Sequence, residues 1–310
     1  MTRYAMLFLS VGMLIAIIVI MHRLSLRVAM RISDFVHRVP AAVVESTVWG
    51  RSRTIRFQLA ARYPTVIGLI QDRATPYRFS GLPLTLLAGA TIYAVALFSG
   101  LAEEVLEAEG IVRIDNIVSA SFAPWRIEPI VSIFLWITAL GSSPATVSAT
   151  IIATGFLWSQ RRFNFMAPLW ITCVGAITTT SIGKFLIGRH RPDFTIDVTA
   201  PFSSFPSGHA TAAMAVYGFV AYAIARALPN IRERFEVAYW TAVLIVLIGF
   251  SRIILGVHYL TDIAGGYLVG GFWLLIGLTI AELTQLHTPL QQSAHLNPGL
   301  VAASRKKEAE

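Results

Sequence analysis

Phe205-Pro206-Ser207-Gly208-His209 decides how this chain is read, because it sets a backbone-exposing turn and a titratable ring at the mouth of an apolar segment. That segment runs from Ser207 to about Ala227, long enough to cross a bilayer. Two further polar stretches converge on it. Lys184-Phe185-Leu186-Ile187-Gly188-Arg189-His190-Arg191-Pro192 closes the preceding apolar segment. Ser251-Arg252, with His258 and Asp262 beyond it, bridges the next two. The three stretches place the cations Lys184, Arg191 and Arg252, the histidines His209 and His258 and the carboxylate Asp262 in otherwise hydrophobic sequence.

Working outward, the composition sets the class. Of 310 residues, 55% are hydrophobic and 14% charged, and the mean hydropathy is +0.65. These values exclude an ordinary water-soluble domain and indicate a polytopic membrane protein. The net charge of +8 lies largely between apolar segments, where basic residues set topology, so no nucleic-acid partner is expected. Cys173, the single cysteine, sits within an apolar segment as a packing residue, and no disulfide framework is possible.

The apolar segments predict an all-α membrane bundle of six core transmembrane helices with an additional N-terminal anchor. Residues 1–21 supply the anchor, whose uncharged run 5–21 is followed by His22, Arg23 and Arg27 rather than a cleavage site. Residues 22–81, rich in arginine, read as a basic amphipathic cytoplasmic connector. The catalytic domain is expected at 82–283, with spans at 82–101, 145–159, 165–187, 207–227, 236–254 and 258–282. Residues 129–141 read as a surface or re-entrant helix. A polar cytoplasmic tail, 284–310, completes the chain. Glu103, Glu104, Glu107, Glu109 and Asp115 read as a solvated acidic loop, not a metal cluster, since no histidine accompanies them. Counting basic residues puts 22–80, 161–162, 226–234 and the tail on the cytoplasmic side, and so all three polar motifs on the other.

Ionisable groups at membrane depth are costly and mark function. Lys184 and Arg191, seven positions apart, can project toward one pocket if the helix continues, and Arg252 can join them. Three cations around a cavity suit a phosphate-like anion. Ser207 is an N-cap candidate, and Gly208 allows close backbone approach at a helix start. His258 and Asp262, four apart, share a helix face on which the carboxylate can hold the imidazole tautomer. Arg189, His190 and Asp193 flank the first motif as rim or interfacial residues. No GxGxxG, Walker or CxxC motif supports a cofactor.

Taken together, Lys-x6-Arg-Pro at 184–192, Pro-Ser-Gly-His at 206–209 and Ser-Arg-x5-His-x3-Asp at 251–262 resemble the three-part signature of the type 2 phosphatidic acid phosphatase superfamily. The resemblance covers roughly residues 82–283. It implies a membrane lipid phosphatase with no metal requirement, its site on the periplasmic side of a bacterial inner membrane. It further implies His258 as a nucleophile forming a phosphohistidine, Asp262 orienting it, and His209 protonating the leaving oxygen. Lys184, Arg191, Ser207, Gly208 and Arg252 would hold the phosphoryl oxygens. Phosphatidic acid, phosphatidylglycerophosphate, polyprenyl diphosphate and lipid A phosphates all fit as substrates. A lipid phosphotransferase, a vanadium haloperoxidase-like enzyme and a non-catalytic lipid-binding or transport protein are the competing expectations. The sequence carries no signal for an oligomeric state.

Overall fold

The structure, a computed structural model, describes residues 2–38, 82–107, 109–192 and 203–296. Among them there is no strand. The helices are α1 (Thr2–Arg38), α2 (Leu82–Glu107), α3 (Glu109–Phe122), α4 (Ile130–Ala139), α5 (Ser143–Ser159), α6 (Met166–Ile187), α7 (Gly208–Ala212), α8 (Gly218–Ala225), α9 (Ile231–Ile254) and α10 (Leu260–Leu296). A π-helical turn, Ala213–Tyr217, joins α7 to α8. Residues 39–81 of the expected connector, residues 297–310 of the expected tail, and Asp193 lie outside the described residues.

The helices group into two compact units. In the first, α1 accompanies Ile224–Trp240, a segment expected within the catalytic domain 82–283. The helix carries the apolar run 5–21 and continues without a break to Arg38, through residues expected to open the connector. Nothing between 21 and 38 stops it: no proline or glycine interrupts the stretch. His22 Nε2 lies 2.7 Å from Glu236 Oε2, stacks on Trp240 and meets Tyr239 edge-on.

The second unit holds the other helices, with α8 as far as Ala223 and α9 from Thr241 onward. Five segments are long and apolar enough to cross a membrane: Pro83–Glu107, Phe163–Ile187, Gly208–Ala225, Ile231–Ile254 and Leu260–Gln285. α4 and α5, bent by 43° against each other, make a sixth if the pair is one span. The residues expected as a surface or re-entrant helix form α4, the first arm of this bent pair, whose shape is that of a broken span or a re-entrant loop. Ser142 causes the restart: its Oγ accepts from the Ala145 N–H, and Pro144 occupies the first turn, where its missing N–H costs nothing. The apolar side chains of α2, among them Leu86, Ile92, Tyr93 and Leu97, are exposed, as a lipid-facing helix requires.

α10 is the axis of this unit and packs against α2, α3, α6, α7 and the π turn. Its approach to α7 depends on two glycines one turn apart. A Cβ on Gly266 would stand 2.6 Å from the Ser207 carbonyl oxygen, and one on Gly270 2.6 Å from that of Thr211. Only the absence of a side chain lets these backbones meet, the small-residue packing that membrane helices use. Leu157, Phe165, Leu169, Phe219, Ala223 and Ala281 form an apolar core around the other end.

The acidic stretch is not a loop. Glu103, Glu104 and Glu107 belong to α2, Glu109 opens α3, and Asp115 is completely buried in α3. Its burial is compensated by charge pairing with the motif region, described next.

Candidate active site

Each polar motif sits at an end of a helix, and the chain's turns bring those ends together. α9 stops where Gly256 takes φ +67°, a left-handed conformation that suits glycine. The Arg252 carbonyl then accepts from the backbone N–H groups of Val257 and His258, at 3.1 and 3.3 Å. This tight reversal puts Arg252 and His258 side by side although they belong to different segments. α10 starts with Asp262 in its first turn, the carboxylate reaching back to accept the Tyr259 N–H at 2.9 Å. The Asp262 carbonyl accepts from the Ser207 N–H at 2.9 Å, which ties the Pro-Ser-Gly-His turn to the same spot.

A cavity of about 1100 Å³ collects the result. Lys184, Arg191, Gly208, His209, Arg252 and His258 all line it. Asp262 and Ser207, the other two expected site residues, are fully buried outside its lining. Asp262 stands behind the nucleophile candidate: its Oδ2 lies 3.2 Å from His258 Nδ1, so Nδ1 carries the proton and Nε2 is the free nitrogen. Ser207 occupies the N-cap position of α7, but its side chain does not cap the helix. Its Oγ and Arg252 Nε are buried polar atoms with no hydrogen-bond partner among the described residues. Arg252 Nη1 donates to Thr138 at 2.9 Å, which fixes the guanidinium.

Lys184 and Arg191 do reach one cavity, but not along one helix. α6 ends at Ile187 and Gly188 turns left-handed, so Arg191 arrives from the irregular segment that follows, anchored by donation from Nη1 to the Val257 carbonyl at 2.9 Å. The described lining contains Lys184, Arg189, Arg191 and Arg252 and no carboxylate. Such a surface is built for an oxyanion.

Burial pushes the His258 imidazole down to about 4, helped by Arg252 and Arg191 and resisted by Asp262. The ring is therefore neutral at physiological pH, with its lone pair available. Because the folded value lies below the ordinary 6.5, the stability this group contributes is present above that value and is lost as pH falls through about 4. We expect 15N spectra of histidine-labelled protein, assigned with a His258→Gln sample, to show a neutral His258 ring down to about pH 4. Titration near 6.5 would contradict the buried geometry.

Two residues of the site are not visible in the signature. Arg189 points inward, its Nη1 donating to Asp262 Oδ1 at 2.6 Å and its Nη2 to Asp115 Oδ2 at 2.7 Å. Burial opposes its charge, but the two carboxylates outweigh that and raise its pKa above the ordinary value. His190, by contrast, stays exposed at the rim. The sequence does hold a signal for Asp115: it is the one acid on the inward face of α3, in line with Ile111, Val118 and Phe122.

Comparison with known proteins gives a consistent set of matches. The model of the PAP2 superfamily matches residues 164–284, which include all three polar motifs. Phosphatidylglycerophosphatase B of Bacillus subtilis is 33% identical over 149 residues, 47% of this chain and 71% of that protein. Lipid A 1-phosphatase of Rhizobium etli is 32% identical over 120 residues, 36% of this chain and 47% of that protein, so less than half of its length is spanned. The crystal structure of a transmembrane PAP2-type phosphatidylglycerolphosphate phosphatase from Bacillus subtilis matches with a TM-score of 0.58 at 26% identity, covering 62% of this chain and 96% of that one.

Proposed function

Because this multi-pass membrane protein belongs to the PAP2 superfamily, we propose that it hydrolyses the terminal phosphate of a lipid phosphate through a phosphohistidine on His258. The observation that carries the reading is the cavity lined by cations together with His209 and His258, with Asp262 buried directly behind His258. His258 Nε2 attacks phosphorus, an N–P bond forms, and the P–O bond to the lipid breaks. His209 gives its proton to the departing oxygen, a protonation favoured by the negative substrate beside it. It then takes a proton from the water that attacks phosphorus, releasing phosphate and restoring His258. Lys184, Arg191 and Arg252, with the Gly208 N–H, hold the three phosphoryl oxygens, while the Ser207 hydroxyl, expected among them, lies buried outside the cavity lining. The Nδ1–H of His258 stays on Asp262 throughout, so the charge gained by the ring is balanced at once.

The apolar part of the lining, Ala176, Ile177 and Phe185 on α6 facing Gly141 and Thr146, suits a substrate whose tails remain in the bilayer. The names of the relatives make phosphatidylglycerophosphate and lipid A 1-phosphate the first substrates to try, with phosphatidic acid and polyprenyl diphosphate beside them. In this reading the motifs face the periplasmic side of a bacterial inner membrane, an orientation that the count of basic residues in the loops supports.

The test is inorganic phosphate release by detergent-purified protein from these four lipids, with EDTA present. Release from at least one is expected. A phosphorylated protein that discharges only when an alcohol acceptor is added would reassign the reaction as phosphoryl transfer, and no release or phosphorylation at all would end the catalytic reading.

A further inference from the structure

Asp115 lies upstream of residues 164–284, on a helix that contributes none of the signature. It is nonetheless fully buried and joined to the nucleophile by an unbroken chain of contacts. Asp115 Oδ2 accepts from Arg189 Nη2 at 2.7 Å and also from the Thr261 hydroxyl, while Oδ1 accepts the Thr261 N–H at 3.1 Å. Arg189 Nη1 donates to Thr261 Oγ1 at 2.7 Å and to Asp262 Oδ1 at 2.6 Å. Asp262 Oδ2 then faces His258 Nδ1. The Arg189 guanidinium also lies 4.4 Å from the centre of the Tyr259 ring, which fixes its plane.

The charges in this chain show why an extra carboxylate is needed. If Arg189 paired with Asp262 alone, the pair would be neutral, and the carboxylate behind His258 would have no negative charge to offer. Asp115 supplies a second carboxylate to the same guanidinium. The trio then carries one net negative charge, and it lies at the end that faces His258. When Nε2 bonds to phosphorus while Nδ1 keeps its proton, the ring becomes cationic inside a site that already holds Arg191, Arg252 and Lys184. One net negative charge behind the ring is what that step requires.

We propose that Asp115 and Arg189 are positioning residues of the reaction, Asp115 neutralising Arg189 so that Asp262 keeps the charge and aim that stabilise His258 as it is phosphorylated. Arg189 divides the work of the Asp262 carboxylate, fixing Oδ1 so that Oδ2 remains on the histidine. This inference rests on the phosphohistidine reading above.

Asn in place of Asp115 keeps the acceptor oxygen and removes the charge. Full-length Asp115→Asn protein, assayed with the member of the lipid panel that the wild type hydrolyses fastest, is expected to lose about 10–100-fold in kcat with KM within about threefold. Asp115→Asn/Arg189→Gln removes both opposing charges and restores one net negative charge on Asp262. It is expected to be at least about tenfold faster than Asp115→Asn, a reversal that damage to packing would not give. An active wild type with unchanged kcat in Asp115→Asn overturns this inference and leaves the phosphatase reading intact. So does a double variant that is slower than either single variant, or that does not fold, since charge rather than fold is what the pair is said to supply. A wild type that releases no phosphate removes the reading, and the inference with it.

Discussion

Purified His258→Ala protein is expected to elute and melt as the wild type does while releasing phosphate at least about 10⁴-fold more slowly. The fold should survive because Asp262 is not orphaned by the change: its Oδ1 keeps Arg189 and its Oδ2 keeps the Tyr259 N–H. Turnover should not survive, because no other neutral nitrogen or hydroxyl in the lining has a carboxylate positioned behind it. Lys184 is a cation among cations, and His209 stands on another helix without such a partner among the described residues. A rapid acid-free quench with labelled substrate should trap label on the wild type and none on His258→Ala. Near-normal turnover by the variant would remove His258 from the role of nucleophile.

Arg252→Ala is expected to lower kcat/KM by about 10²–10³-fold, with most of the loss in kcat. The guanidinium is almost wholly buried, is held by Thr138, and has a buried Nε with no partner among the described residues. Its fixed orientation is what makes a donor worth more to a developing charge than to the ground state. The structural duty of residue 252 is carried by its carbonyl, which accepts from Val257 and His258, and alanine retains that. Thermal stability is therefore expected to hold or rise, since an uncompensated buried cation is removed. Arg252→Lys, which keeps the charge but not the planar fork, should fall between the two. Loss of the folded protein with either substitution, or a change confined to KM, would contradict this assignment.

The helices and the cluster of polar residues at their ends were legible because both are written locally. Apolar runs of spanning length fix the bundle, and Lys184, Arg191, His209, Arg252, His258 and Asp262 stand at its polar breaks. What could not be read was carried by distance. Asp115 and Arg189 are 74 positions apart, and Asp115 and Thr261 are 146 apart, so no periodicity links them. The expectation of a solvated loop weighed five acids as a group, whereas burial singled out one. The turn chemistry of Gly141-Ser142-Ser143-Pro144 was legible, but the 43° angle at which it sets α4 against α5 was not, because that angle depends on packing across the bundle. The route of Arg191 into the cavity depended on the left-handed Gly188, which a helix-spacing argument passes over.

The π turn at Ala213–Tyr217 has a consequence for how this span can vary. A π turn accommodates an extra residue within a continuous helix. Above it, α7 is locked to α10 at Gly266 and Gly270, which determines where His209 points. Below it, Phe219 is committed to the core formed with Leu157 and Leu169. With the surplus residue between them, the two ends answer to different neighbours and need not share one angular phase. The turn works as a joint between a half that presents His209 to the cavity and a half committed to the apolar core. Either half can then drift in sequence without rotating the other.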